Sequence, residues 1–377
     1  MTTRDVPPRP VARHVAPGSA PATTLNTTGE TMFKAVVTGA AGFIGSTLCR
    51  ALLAEDVEVV GIDKFTPYYW PQRKWRNIAD LQMNPRFTLV HDDLATADLV
   101  SLYGDATVVF HLAGQPGVRT SWSTGFDEYV TENVLATQCV LEAAREHGDV
   151  RVVYASSSSV YGNAERYPCR ETDRPAPFSP YGVTKLAGEH LAVLYARNYG
   201  VSTVSLRFFT VYGPSQRPEM AIAQMIDAAL KGNTFNLFAA RGAVRDFTYV
   251  DDIVRAVILA GRTPDLPPGL VLNVCGGEPA TMIDVLEYVH GIVGEDIPVD
   301  LSPAMPGDVL RTGGDNRLAR EALGWRPTTR LFDGVLQQVL WRASELGLST
   351  PRLDGWMSEP VRPLRTAPVA ALAEPAV

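Results

Sequence analysis

The sequence predicts an α/β fold: a doubly wound parallel sheet with helices on both faces. Three observations carry the prediction. Short apolar runs, expected as strands at 34–38, 57–62, 86–91, 107–111, 150–155 and 201–207, alternate with stretches of helical periodicity. The first run ends in three glycines that open a helix. The chain is 377 residues long and 46% hydrophobic, enough for a sizeable core.

Residues 1–31 are rich in Pro, Ala, Thr and Arg and carry no apolar h-region, so a disordered tail without a secretory signal is expected. The first strand runs into Thr38-Gly39-Ala40-Ala41-Gly42-Phe43-Ile44-Gly45, and Leu48, Leu52 and Leu53 then mark a helix. In such a turn Gly39 allows the tight bend and Gly42 lets a pyrophosphate approach the backbone. Gly45 lets the helix pack closely, with phosphates at its N-terminus. The spacing G-x-x-G-x-x-G differs from the general dinucleotide fingerprint G-x-G-x-x-G. The second strand ends at Asp63, where a carboxylate can accept bonds from both adenosine ribose hydroxyls and disfavours a 2′-phosphate. NAD is therefore expected over NADP, although Lys64 directly after it pulls the other way.

The fourth strand leads into His111-Leu112-Ala113-Gly114, and a long helical pattern follows over 126–147. The strand Arg151-Val152-Val153-Tyr154-Ala155 delivers four serines, Ser156 to Ser159, to a strand's carboxyl end, where open α/β sheets bind ligands. Tyr181-Gly-Val-Thr-Lys185 then opens a helix over 179–199. Residues four apart share one helical face, so the phenol and the ammonium are neighbours. A nearby Lys⁺ favours phenolate, and Tyr181 is read as a base activated by Lys185. An ordinary neighbour pair on a solvated helix is the alternative reading.

Together these motifs resemble the extended short-chain dehydrogenase/reductase family, in its nucleotide-sugar epimerase and dehydratase branch, over roughly residues 33–335. The resemblance implies a Rossmann-type NAD-binding domain over 32–207, with later segments crossing back. A smaller, interleaved, mainly substrate-binding domain is implied over 208–345, and residues 350–377 again read as a disordered tail. It implies that Gly39, Gly42, Phe43, Ile44, Gly45, Asp63, Leu112, Ala113, Tyr181 and Lys185 hold NAD, with Asp92 or Asp93 and then Leu94 at the adenine. Asn133 is implied to be a structural or active-site amide in the long central helix. Counting back from Val160-Tyr161-Gly162 makes Ser157 the hydroxyl that meets the sugar 4-OH beside Tyr181 and Lys185, with Ser156 an alternative register.

The same comparison excludes some chemistry. Dehydratases of the branch carry an Asp-Glu pair directly after this hydroxyl, and decarboxylases keep the glutamate; here Ser158 and Ser159 stand there. The implied activity is a 4-epimerisation through a 4-keto sugar. Phe208-Phe209-Thr210-Val211-Tyr212-Gly213-Pro214, Arg217-Pro218-Glu219-Met220-Ala221 and Gln115-Pro116-Gly117-Val118-Arg119 resemble UDP-glucuronate 4-epimerases. Val118, Arg119, Thr210 and Arg217 are thus expected near the sugar or phosphates, Arg245 at the pyrophosphate and Asp308 at the uridine ribose. Hydroxyls of Thr120, Ser121 or Thr210 are expected to restrain the glucuronate carboxylate against decarboxylation. Epimerases of UDP-glucose or UDP-N-acetylhexosamine remain open. So do, further off, a decarboxylase or 4,6-dehydratase and a non-catalytic NAD sensor.

Composition is consistent with this. A net charge of −7 without a basic stripe argues against nucleic acid, and no apolar run spans a bilayer. Cys49, Cys139, Cys169 and Cys275 are dispersed and the six histidines lack zinc spacing, so no metal is expected. A cytoplasmic enzyme is expected, and the family's pairing through two long helices implies a homodimer.

Overall fold

A computed structural model describes residues 33–348 apart from 123–124, 239–242 and 304. The expected tails at 1–31 and 350–377 lie outside the described residues. Twelve strands are described: β1 (Lys34–Thr38), β2 (Glu58–Asp63), β3 (Phe87–His91), β4 (Val108–His111), β5 (Arg151–Ser157), β6 (Thr203–Phe208), β7 (Thr210–Tyr212), β8 (Phe235–Phe238), β9 (Val244–Tyr249), β10 (Leu270–Val274), β11 (Pro279–Thr281) and β12 (Val299–Ser302). The described α-helices are α1 (Phe43–Ala54), α2 (Pro71–Ile78), α3 (Leu99–Tyr103), α4 (Phe126–Tyr129), α5 (Ala136–His147), α6 (Pro180–Tyr199), α7 (Ala221–Lys231), α8 (Val250–Arg262), α9 (Met282–Val293), α10 (Arg317–Leu323) and α11 (Leu331–Glu345).

The main sheet has seven parallel strands in the order β10-β6-β5-β4-β1-β2-β3. The chain reverses direction across the sheet between β1 and β4, which leaves a crevice at their carboxyl ends where ligands of open α/β sheets bind. Every residue of β4 is buried, and β1 and β5 are buried except for their first residues, as a sheet covered on both faces requires. The six strands expected from the sequence appear within two residues at each end. β10, distant in sequence, pairs with β6 along its whole length and extends the same sheet. Two small sheets, β11-β9-β7 and β12-β8, lie in the later part of the chain.

The helix expected over 126–147 is regular only at its ends. Between α4 and α5, residues Val130–Leu135 form a π-helical stretch, a wider turn that often marks a functional site. Asn133, in that stretch, is almost completely buried. α6 starts as the sequence requires: Ser179 caps it by accepting from the Gly182 N–H, and Pro180 occupies its first turn.

Candidate active site

A cavity of about 410 Å³ opens at the crevice between β1 and β4. Its glycine-rich wall is built by close approach. Gly39 has φ +70°, and a Cβ there would sit 2.9 Å from the Ala113 backbone. A Cβ on Gly45 would run into the Gly39 carbonyl oxygen, so only glycine lets α1 dock on the turn. α1 has no side-chain cap and leaves its first N–H groups free for an anion. These features fit a dinucleotide pyrophosphate. Gly39, Gly42, Phe43, Ile44, Gly45, Asp63, Asp92, Leu94, Leu112, Ala113, Tyr181 and Lys185 all line the cavity.

Asp63 is more heavily used than the sequence suggested. Its Oδ2 accepts from the Ala41 N–H at 3.0 Å, while Oδ1 accepts from the Phe65 N–H at 2.7 Å and from Lys74 Nζ at 3.3 Å. A carboxylate offers about four acceptor positions, so roughly one remains for ribose rather than the expected two. Lys64 is not free for a 2′-phosphate either. Its Nζ is clamped by Asp93 at 2.7 Å and Glu132 at 2.6 Å. Asp93 is thereby committed to Lys64, while Asp92 lines the cavity.

The serine run divides its work. Ser156, on one side of β5, donates to Glu189 Oε2 at 2.7 Å. Ser157, the next residue, hydrogen-bonds Tyr181 and accepts from the Ser159 N–H at 3.1 Å. Alternation along the strand therefore aims Ser157 at the tyrosine and Ser156 away from it. Ser158 and Ser159 also line the cavity, without a carboxylate.

The electrostatics bring a second cation to the tyrosine. Burial raises the Tyr181 pKa; the charge of Arg217 and the Ser157 hydrogen bond oppose it. Burial also lowers Lys185 to about 7, so Lys185 is a weakened cation. The charge of Arg217 is the largest influence set against the burial of Tyr181. Lys185 Nζ lies 4.7 Å from the centroid of the Tyr154 ring. Arg217 Nε is 2.8 Å from Glu219 Oε1 but misaligned for a hydrogen bond, which leaves its N–H buried without an acceptor.

Asn133 holds the far wall. Its Oδ1 accepts from the Gln115 N–H at 2.7 Å, and its Nδ2 donates to the Gln115 carbonyl and to Thr184 Oγ1, both at 3.0 Å. One side chain thus ties the π stretch to the loop after β4 and to α6 between Tyr181 and Lys185. Beneath it runs a directed chain. Thr38 Oγ1 accepts from the Ala113 N–H at 3.2 Å and lies 2.8 Å from His111 Nδ1. It donates there because Thr137, itself a donor to the Asn133 carbonyl, takes the proton on Nε2 of the neutral ring. His111 then donates through Nε2 to Thr137 Oγ1 at 3.0 Å, which donates to the Asn133 carbonyl at 2.6 Å. Burial first, then the Lys185 charge, lowers His111 to about 3 and keeps it neutral.

The expected substrate residues separate into two groups. Val118, Thr210 and Arg217 line the cavity with Tyr181. Arg119, Arg245 and Asp308 do not; they form a cluster of their own. Arg119 pairs with Asp308 at 3.1 Å and stacks on Phe238, 4.3 Å from its ring centroid. Arg245 donates to the Val244 carbonyl rather than to Asp246, and its pKa is lowered by burial against the attraction of Asp308. Two of the expected carboxylate hydroxyls are already engaged: Ser121 donates to the Val118 carbonyl at 2.7 Å, and Thr120 meets Tyr129 OH at 2.6 Å. Thr210 lines the cavity. Lys74, Tyr68 and Tyr69, which the sequence reading did not single out, line it too, carried there by the segment after β2.

The chain matches the family described as NAD dependent epimerase/dehydratase over residues 35–275. It is 40% identical over 315 residues to an uncharacterized UDP-glucose epimerase, YtcB, of Bacillus subtilis, covering 82% of this chain and 98% of that protein. It is 34% identical over 327 residues to a probable UDP-glucuronate 4-epimerase of Rhizobium meliloti, covering 81% and 96%. Among solved structures, that of UDP-glucuronic acid 4-epimerase from Bacillus cereus with UDP-glucuronic acid and NAD is 40% identical. It superposes with a TM-score of 0.80 and covers 83% of this chain and all of that one.

Proposed function

The chain belongs to the NAD-dependent epimerase/dehydratase family, and from that premise we propose that it is a nucleotide-sugar 4-epimerase that interconverts UDP-glucuronate and UDP-galacturonate through a 4-keto intermediate. The observation that carries the reading is Tyr181 in the glycine-walled cavity, hydrogen-bonded to Ser157, with the Arg217 charge opposing the rise in its pKa. Similarity to UDP-glucuronate 4-epimerases over more than four fifths of the chain supports the choice of sugar.

In this reading residues 32–207, with later segments crossing back, hold the cofactor, and residues 208–345 mainly hold the substrate. The glycine turn, Asp63, Leu112, Ala113 and Lys185 hold NAD, which when bound accepts and returns the hydride at C4. Tyr181 takes the 4-OH proton, directly or through Ser157, and gives it back after the ketone has turned its other face. The Arg217 charge favours the phenolate that does so, and Lys185 holds the nicotinamide ribose. Serines at 158 and 159 leave no carboxylate for water elimination. Thr210 is the hydroxyl assigned to the sugar carboxylate. The Arg119–Asp308–Arg245 cluster is assigned to the uridine diphosphate, Asp308 at the ribose and the guanidiniums at the pyrophosphate.

We propose a homodimer that pairs through residues 126–147 and α6; Val130 and Leu135 of the π stretch and Val183, Leu194 and Tyr199 of α6 are exposed apolar residues. A cytoplasmic location fits four unpaired thiols. Among the described residues no helix is long and apolar enough to cross a membrane, and no cluster of metal-binding side chains occurs.

The test is an NMR time course of the purified protein with UDP-glucuronate and no added NAD. UDP-galacturonate is the expected product and would also show retained cofactor. A pentose product would refute the assignment of Thr210 and of the serine pair. Inertness toward UDP-glucuronate with NAD added, together with turnover of UDP-glucose, would establish the second reading, which similarity to the Bacillus subtilis protein favours.

A further inference from the structure

Glu189 is a buried carboxylate outside the cavity, and it ties the strand end that carries Ser157 to the helix that carries Tyr181. Ser156 on β5 and Arg207 on β6 are register partners across the sheet. Both reach Glu189 on α6. Ser156 Oγ donates to Oε2 at 2.7 Å, Arg207 Nε to Oε2 at 2.9 Å, and Arg207 Nη2 to Oε1 at 2.6 Å. All three side chains are buried. Arg207 Nη1 also donates to Tyr161 OH at 2.7 Å, which bonds Asn273 Oδ1 of β10 at 2.7 Å. Three strands of the main sheet are thereby fixed to one point of α6.

A buried ion pair adds little net stability, because desolvation offsets the attraction, but separating its partners is costly. A slip of β5 by one residue would part Ser156 from Glu189 and turn Ser157 to the other face. Ser157 is the next residue of β5, and Tyr181 lies about two turns before Glu189 on α6. The Ser156–Glu189 and Ser157–Tyr181 bonds are thus two attachments of one strand end to one helix. We propose that Ser156, Glu189 and Arg207 are positioning residues for the epimerisation, which hold the Ser157 hydroxyl on Tyr181. The inference rests on the epimerase reading and deepens it: the Ser156 proton is committed to Glu189, so Ser156 acts through its neighbour.

The experiment uses the full-length protein labelled with a heavy carbon isotope at tyrosine Cζ, whose NMR shift reports bonding at the hydroxyl. Tyr181→Phe assigns the Tyr181 signal, and Ser157→Ala gives its place without the serine bond. In Ser156→Ala the signal is expected to move from its wild-type place toward that of Ser157→Ala. With UDP-glucuronate, Ser156→Ala is expected to lose at least about tenfold in kcat, because small misplacements of reacting groups are costly. KM is expected to stay within about twofold. The acid limb of the kcat–pH profile should move to higher pH, as in Ser157→Ala, because the bond that lowers Tyr181 is loosened. The double variant Ser156→Ala/Ser157→Ala is expected to be no slower than Ser157→Ala alone. Ser156→Cys, close in size and a weak donor, takes the place of the alanine variant if that does not fold. A wild-type Tyr181 signal in a folded Ser156 variant, or a double variant slowed by the product of the single losses, would overturn the positioning role. A wild-type protein inert toward both UDP-glucuronate and UDP-glucose would refute the epimerase reading instead, and the Tyr181 signal would still decide the positioning.

Discussion

At the scale of single residues, the site joins a tyrosine that burial makes a poorer acid to an arginine and a serine that oppose this. Tyr181→Phe deletes only the ionising oxygen, so turnover is expected to fall by at least about a hundredfold, the usual weight of acid–base catalysis, while NAD stays bound. An NAD sensor would keep its function in that variant. Arg217→Gln is expected to move the acid limb of the kcat–pH profile to higher pH, because the charge that lowers Tyr181 is gone; an unmoved limb would count against the assignment. Lys185 gives a sharper test. Its folded value of about 7 lies below the ordinary 10.5, so between those values the unfolded chain binds a proton that the folded chain does not. Stability therefore rises with pH across that window, by up to about 1.4 kcal/mol per unit. In urea melts of ligand-free protein, Lys185→Met is expected to be more stable than wild type near neutrality. The advantage should shrink toward pH 10; a pH-independent difference would contradict the buried cation.

At the scale of elements, the decisive piece is the π stretch Val130–Leu135. It carries Asn133, whose amide closes a hydrogen-bonded pair with the backbone of Gln115 and a third bond to Thr184. Asn133→Ala leaves the Gln115 N–H and carbonyl without those partners, at a cost of about 1–3 kcal/mol for each buried group left unpaired. The expected result is a lower melting temperature together with reduced turnover, since the wall beside Lys185 loses its tie. Unchanged turnover in a folded variant would make the amide purely architectural. The family resemblance marked Asn133 as a structural or active-site amide. It gave no sign of the π turn, because a π turn keeps the helical composition and changes only the local hydrogen-bond register.

At the scale of the whole molecule, seven parallel strands place the glycine turn, the serines and Tyr181 around one crevice, and β10 joins that sheet from far along the chain. The exposed Val183 and Leu194 lie about three turns apart on one face of α6, as a helix-pairing surface requires. Light scattering is expected to give a dimer mass for wild type and a monomer for Leu194→Glu. A wild-type monomer would remove the proposed pairing.

The residues themselves determined much of this protein. Glycine spacing, strand periodicity, the helix start at Ser179 and the Tyr181–Lys185 interval are local patterns, set by backbone sterics and by residues a few positions apart, so six strands and the residues that line one wall of the cavity were legible in advance. Tertiary structure alone brought Ser157 rather than Ser156 to Tyr181 and set the Arg217 charge beside Lys185 in the same cavity. It also decided that Arg119 and Asp308 pair, and that Lys74 bonds Asp63 while Asp93 and Glu132 hold Lys64. Each of those depends on side chains from segments tens of residues apart meeting in a desolvated space. There burial shifts proton affinities and a carboxylate's few acceptor positions are shared out, and neither effect leaves a trace in local sequence.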